Sequence, residues 1–280
     1  MQFLEDNQTG QPFYLLVDVF DPHEPWDAPE KYYRLYADPD FRGKRMVHTG
    51  YAPADKLGYT EEQIRDVRAN YKGLVSLVDG WFGKLVAKMD ELGLADNTYV
   101  FFTSDHGTNF CDNPRNVIGK PANAMYPGVM HLPLLVRTPE ERRAGETCDD
   151  LIYNIDLTAT VYDASGARSE QGIDGRSLMP LITGKGRWKR RPYVTCRYGD
   201  SLCYIDDKSW VLAHVGGELQ EAFDAASDPL CRAPLAEGEA RKRFGPAWER
   251  LLADAGGEFP RYAGRGRTDA IGQKPQKQGR

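Results

Sequence analysis

The chain has no long hydrophobic run. Nowhere does it approach the ~18 consecutive apolar residues of a membrane-spanning helix. Cysteine is sparse and irregular: five residues, at 111, 148, 196, 203 and 231, without C-x-x-C spacing. That argues against a disulfide framework and against a thiolate zinc site. An excess of positive charge is missing too. A net charge of −5 gives no electrostatic case for nucleic acid or an anionic membrane as partner. Residues Met1 to Asn7 lack the basic and apolar blocks of an export signal, and the compartment stays open. Internal repeats are absent.

What is present suits a globular enzyme. At 280 residues, 41% hydrophobic and 28% charged, the chain is long enough for one large α/β domain with an appendage. Pro12 to Phe20 (PFYLLVDVF) reads as a buried strand, short and nearly all apolar. It runs into a loop, Asp21 to Trp26, stiffened by two prolines. Residues 27–58 show no period and read as an irregular excursion. Thr60 and Gln63 form a capping-box pattern. After them Ile64, Val67, Tyr71, Leu74, Val78, Trp81, Leu85, Met89 and Leu92 recur at helical spacing up to Gly93. The polar face of this helix, including Arg65, Asp66 and Arg68, reads as solvated. Thr98–Thr103 and Leu132–Val136 read as further strands, and Asp156 as the N-cap of a helix over 157–164 closed by Gly166. The order implies an α/β fold, a mostly parallel sheet sandwiched by helices over residues 1–185. A small α+β subdomain over 186–260 follows, with a hairpin of 202–205 and 210–215 and a helix at 237–254. Residues 261–280 read as a basic, disordered tail.

Three polar sites fall in strand-end loops, where α/β sheets place their ligands. Asp105 and His106 follow the apolar run Phe101-Phe-Thr-Ser and precede Gly107. A carboxylate beside a neutral imidazole suits a divalent cation, although Asp and Gly also punctuate ordinary turns. His23 can act as a general acid near neutral pH. Lys120, between Gly119 and Pro121, is a constrained ammonium suited to clamp an oxyanion.

Together these motifs resemble the sulfatase family of the alkaline phosphatase superfamily. The segments that carry the likeness are FDPHEPWDAPEKY (20–32), YKGLVSLVDGWFGKLVAKMDELGLADNTYVFFTSDHG (71–107), GKPANAMYPGVMHLPLLVRTP (119–139), NIDLTATVYDASG (154–166) and IDGRSLMPLITGK (173–185). The resemblance implies an alkaline phosphatase-like fold and a metal-dependent hydrolase of small-molecule or carbohydrate sulfate esters. Asp105 and His106 match ligands of a single divalent cation. Calcium is the family's usual ion, and a histidine ligand leaves magnesium, manganese or zinc open. Lys120 matches the lysine that binds the sulfate, and His23 the histidine that assists the leaving oxygen. His131 and Trp26 are weaker candidates for the substrate pocket.

The family's nucleophile is a formylglycine made within C/S-x-P-x-R, and that motif does not occur here. Cys111-Asp-Asn-Pro114-Arg115 has one residue too many before proline, and Cys231-Arg-Ala-Pro234 lacks the closing arginine. The chain therefore reads as the C-terminal portion of a sulfatase-like protein, incomplete for catalysis by itself, with the formylglycine expected in a preceding part. A phosphodiesterase or phosphonate monoester hydrolase of the same superfamily is the alternative, and a non-catalytic sulfatase-derived binding protein a third reading. Oligomeric state leaves no readable trace.

Overall fold

The computed structural model describes residues 1–10, 12–139, 143–168 and 172–260. The expected basic tail, 261–280, lies outside the described residues. Contacts group the chain into two units. One contains residues 1–50, 54–101 and 136–141, the other 51–53, 102–135 and the chain from 142 onward.

The first unit is organised on a 31-residue helix, α4 (Glu61–Glu91), which follows short helices α1 (Gln2–Asn7), α2 (Glu30–Tyr33) and α3 (Ala54–Leu57). The capping box forms as expected: Gln63 N donates to Thr60 Oγ1 at 3.3 Å, and Thr60 N to Gln63 Oε1 at 3.0 Å. Ile64, Val67, Leu74 and Met89 are buried, whereas Trp81 is exposed. Gly73 is required by close approach, since a Cβ there would meet Ala28 Cβ at 2.9 Å and the α2 backbone at 3.1 Å.

One expectation for this helix is corrected. Asp66 is not on a solvated face; it is buried and accepts from Tyr33 Oη at 2.5 Å and Met46 N at 2.6 Å. The irregular segment 28–46 folds over that side of α4, and a polar stripe alone cannot announce such a cover. Asn70, fully buried, extends the anchorage by donating to Met46 O and accepting from Arg45 Nε. Burial and then the bond to Asp66 push the Tyr33 phenol up from 10.0 to about 12.

The expected buried strand at 12–20 is also corrected. Phe13 and Leu15 join Leu4, Met89, Leu94 and Val100 in a cluster, but Tyr14, Leu16, Val17, Val19 and Phe20 are exposed. No strand among the described residues pairs with this segment. The sheet expected through 13–20, 98–103 and 132–136 is thus represented by β2 (Val100–Thr103) paired with β5 (Leu134–Arg137).

In the second unit, β1 (Ala52–Pro53), β4 (Val117–Gly119) and β3 (Asn109–Phe110) form a small antiparallel sheet in the order β1-β4-β3. Short helix α5 (Pro127–Met130) follows. Then come α6 (Ile155–Ser165), α7 (Met179–Thr183) and a four-stranded antiparallel meander. Its strands are β6 (Tyr193–Tyr198), β7 (Ser201–Asp206), β8 (Ser209–His214) and β9 (Leu219–Asp224). The expected hairpin is its centre, and both outer strands are additions. Strand alternation splits the meander into two apolar faces. Leu202, Tyr204, Val211, Ala213 and Ala222 meet α8 (Glu237–Asp254), whereas Cys203, Trp210, Leu212 and Phe223 meet Val117, Ala124 and Tyr126.

Helix α6 starts two residues earlier than expected, with Asn154 in place of Asp156 as N-cap and Gly166 in the left-handed conformation at its end. Asp156 has a larger task. Fully buried, it pairs bidentately with Arg191 at 2.6 Å for both bonds and accepts from Tyr153 N and Arg176 N.

Removing one partner of such a pair strands the other charge. Asp156→Ala should cost about 3–5 kcal/mol in urea unfolding, with Asp156→Leu/Arg191→Met losing much less. A second prediction concerns pH. The folded state holds the Tyr33 proton more tightly than the unfolded chain, so this contribution is complete below pH 10.0 and lost as pH rises through about 12. Tyr33→Phe should flatten the alkaline fall in stability measured by tryptophan fluorescence.

Candidate active site

Strand β2 ends at Thr103, whose Oγ1 donates to Pro133 O at 2.9 Å. The next turn is closed by its own side chains. Ser104 Oγ donates to His106 O at 2.8 Å, and His106 N to Asp105 Oδ1 at 2.8 Å. His106 Nδ1 lies 3.0 Å from Gly107 O, so the proton belongs on Nδ1 and the lone pair on Nε2. Nε2 is 3.7 Å from Asp105 Oδ2. With metal–donor distances of about 2.0–2.6 Å, two atoms so spaced can share one ion. Asp105 is largely exposed, so charge can reach the site without a desolvation penalty on the empty carboxylate. Among the described residues no three His, Cys, Asp or Glu side chains gather as a metal-holding group, so this pair is a partial donor set.

Gly107 is dictated by sterics. Its N–H donates to Val129 O at 2.9 Å, and a Cβ would collide with the carbonyl oxygen of Gly128. Gly128 in turn lies against Thr108 O and Asn109 Oδ1. Two glycines let the Asp105–His106 turn and the start of α5 touch backbone to backbone.

Asn109 ties this turn to the lysine loop. It is fully buried, and its Nδ2 donates to Gly119 O and to Ala124 O, each at 3.0 Å. Those two carbonyls flank the segment that carries Lys120. Gly119 has φ +82°, and the Tyr51 ring occupies the space a side chain would need. The Lys120 ammonium lies 6.0 Å from that ring's centre.

The far end of the loop is held by the meander. Trp210 Nε1 donates to Met125 O at 3.0 Å, and Cys203 Sγ approaches the same oxygen at 3.9 Å. Arg115 donates to Tyr126 Oη at 2.6 Å and to Asn123 O. Tyr126 Oη donates to Glu221, which also pairs with Arg115 at 3.2 Å. Burial, then the bond to Glu221, raises the Tyr126 phenol well above its ordinary range. The phenol therefore stays protonated, as its donor role requires.

Asp105, His106, Lys120 and His131 thus belong to one unit, with Asp105 and His106 in direct juxtaposition. His131 is exposed at the end of α5, its N–H donating to Pro127 O. His23 and Trp26 belong to the other unit. His23 Nδ1 lies 2.8 Å from Glu24 O and 3.5 Å from Glu24 Oε2. Trp26 is 1% exposed, edge-on to Tyr71, and its Nε1 donates to Pro22 O at 3.0 Å. It supports the loop that bears His23, which is a core task and not that of a pocket wall. Neither cysteine near a proline offers a nucleophile. Cys231 is fully buried, and burial pushes its thiol far up. Cys111 is partly buried at φ +61°.

A family model described as Sulfatase matches residues 1–167, more than half of the chain. The chain belongs to the sulfatase family. Among its relatives are the multifunctional alkaline phosphatase superfamily protein PehA of Trinickia caryophylli and arylsulfatase K of Xenopus laevis. PehA is 28% identical, over 79% of this chain and 51% of PehA. Arylsulfatase K is 26% identical, over 79% of this chain and 47% of its own. The phosphonate monoester hydrolase structure of Agrobacterium radiobacter superposes with a TM-score of 0.70 at 21% identity, covering 91% of this chain and 59% of that one. This sulfatase chain therefore spans about half the length of the curated relatives it matches, and its α/β fold is theirs.

Asn109, Trp210, Tyr126 and Glu221 were not among the residues singled out in the sequence. Asn109 carried a faint signal, an amide four residues past Asp105 in the same loop. Glu221 carried none, standing 95 positions from Tyr126.

Asn109→Ala would remove both carboxamide bonds that hold the loop, at about 0.5–1.5 kcal/mol each. We expect lower stability in urea together with faster amide exchange across 117–126. An unchanged exchange pattern would show that the loop is held by the meander alone.

Proposed function

We propose that this chain contributes the cation-binding and oxyanion-clamping part of a sulfate-ester hydrolase. The observation that carries the reading is the single carboxamide of Asn109, which secures the Lys120 loop to the strand that follows Asp105 and His106. A clamp and a cation turn with a shared anchor suit a substrate whose negative charge grows on several oxygens at once.

Asp105 Oδ2 and His106 Nε2 would hold one divalent cation, and the chemistry of the pair fits it: a charged oxygen and a lone-pair nitrogen fixed by Gly107 O. Calcium takes first place, with magnesium, manganese and zinc also compatible with a nitrogen donor. Bound there, the ion supplies Lewis-acid polarisation of the ester's oxygens. Lys120 binds the sulfate group and stabilises its developing charge, on a backbone that Gly119 and Pro121 restrict. The family likeness gives His23 the role of proton donor to the departing alcohol; its Nδ1 lies 2.8 Å from Glu24 O. The nucleophile comes from the part of the sulfatase fold that this chain does not span, as a formylglycine hydrate. The substrate is a small-molecule or carbohydrate sulfate ester.

The phosphonate or phosphodiester reading keeps the same residues and differs in the group attacked. In a catalytically complete protein that contains this chain, Lys120→Ala should lower kcat for an aryl sulfate by about 10²–10³-fold. A near-normal kcat would remove the lysine from the mechanism. Faster turnover of phenylphosphonate esters than of aryl sulfate by the unaltered protein would move the assignment to the second reading.

A further inference from the structure

Between α7 and β6 the chain reads Lys185-Gly-Arg187-Trp188-Lys189-Arg190-Arg191, five cations in seven residues without one acid. The structure divides them by duty. Arg191 is buried on Asp156. Arg190 pairs with Asp150 at 2.8 Å and Asp207 at 2.7 Å, and Trp188 Nε1 donates to Asp150 Oδ2 at 2.5 Å. These bonds pin the segment down and commit the carboxylates of Asp150, Asp156 and Asp207. Lys185, Arg187 and Lys189 are left over. All three are exposed, and among the described residues none has a hydrogen bond or an ion pair. A single bare lysine is ordinary surface. Three cations within five residues, beside carboxylates already spent on their neighbours, are a local excess of positive charge on a chain of net −5. The overall negative charge is screened beyond a Debye length of about 8 Å in physiological salt, so the patch acts by itself.

We propose that Lys185, Arg187 and Lys189 are a docking patch for a sulfated polysaccharide, the polymer whose ester groups the candidate site would cleave. The patch and the residues Asp105, His106 and Lys120 belong to the same unit of the structure. Its chemistry selects this occupant from the other polyanions. Single-stranded nucleic acid is held by cations together with open aromatic platforms for its bases. Here the one ring, Trp188, is half-buried and tied to Asp150. Duplex DNA takes a helix or a two-stranded ribbon in its groove, whereas this segment is neither. A bilayer surface needs apolar side chains that enter it beside the cations, and the run offers none exposed. A sulfated polysaccharide asks only for a row of cations to meet its charges. The inference rests on the hydrolase reading for the choice of a sulfated carbohydrate, but its test needs no turnover.

The experiment titrates the full 280-residue chain with dextran sulfate, using unsulfated dextran as the blank, over a range of salt concentrations. Three ion contacts give a slope of about −2 in log affinity against log salt. Lys185→Glu/Arg187→Glu/Lys189→Glu should leave the melting temperature unchanged and weaken binding by at least about tenfold. Lys185→Gln/Arg187→Gln/Lys189→Gln removes the charges without reversing them, and should weaken binding in the same direction. The control Lys44→Glu/Lys56→Glu/Arg232→Glu makes the same change in net charge at exposed positions elsewhere, and should alter affinity little. The proposal is overturned if dextran sulfate does not bind, or if the control loses as much affinity as the patch variants. It is equally overturned by tighter binding, at equal salt, of oligouridylate or of phosphatidylserine vesicles. If a catalytically complete protein that contains this chain binds dextran sulfate through the patch but turns over no sulfate ester, the hydrolase reading alone fails. If it hydrolyses an aryl sulfate and does not bind the polymer, the docking patch alone fails.

Discussion

The buried carboxamide of Asn109 is the constraint on which the candidate site depends. It cannot be solvated, so its two N–H bonds must be satisfied internally, and they end on carbonyls at either side of Lys120. The position of Asn109 is itself fixed by backbone contact between Gly107 and Gly128, where no side chain would fit. A short chain of steric and hydrogen-bonding necessities thus runs from the end of β2 to the lysine. The Asp105–His106 turn owes little to burial, and both side chains remain near the surface. Rigidity is placed behind the site and accessibility in front of it.

Much of this was legible in local sequence. Thr60 and Gln63 announced the start of α4, Gly166 the end of α6, and Asp206 to Lys208 the central hairpin, because caps and turns are written within a few residues. The pairs Asp105-His106 and Gly119-Lys120 could be found for the same reason. What stayed hidden depends on distant chain. Asp66 sits in a polar stripe, and only the fold of segment 28–46 over α4 turns it into a buried acceptor. The segment 12–20 has a strand's pattern of residues, but a strand requires a neighbour, and none among the described residues pairs with it. Trp26, a weak pocket candidate by its place in a proline-rich loop, is buried in the core of that loop.

The meander illustrates how a region without site residues can still serve a site. One face buries α8, and the opposite face receives the far end of the lysine loop. Tyr126, Arg115 and Glu221 form a charged contact at this junction, and the protonated phenol bridges guanidinium and carboxylate. Three cysteines lie on or beside the same face. Burial raises the thiols of Cys196, Cys203 and Cys231 alike, which keeps them protonated and inert as small apolar fillers.

The bonds that Asn109, Arg115, Cys203 and Trp210 make to the lysine loop reach main-chain oxygens, those of Gly119, Asn123, Ala124 and Met125. The loop is therefore addressed by its backbone, while the addresses are kept at Asn109, Arg115, Cys203 and Trp210. Anyone grafting this loop onto another scaffold would have to transplant those donors, scattered over more than ninety positions, before worrying about the letters of the loop itself.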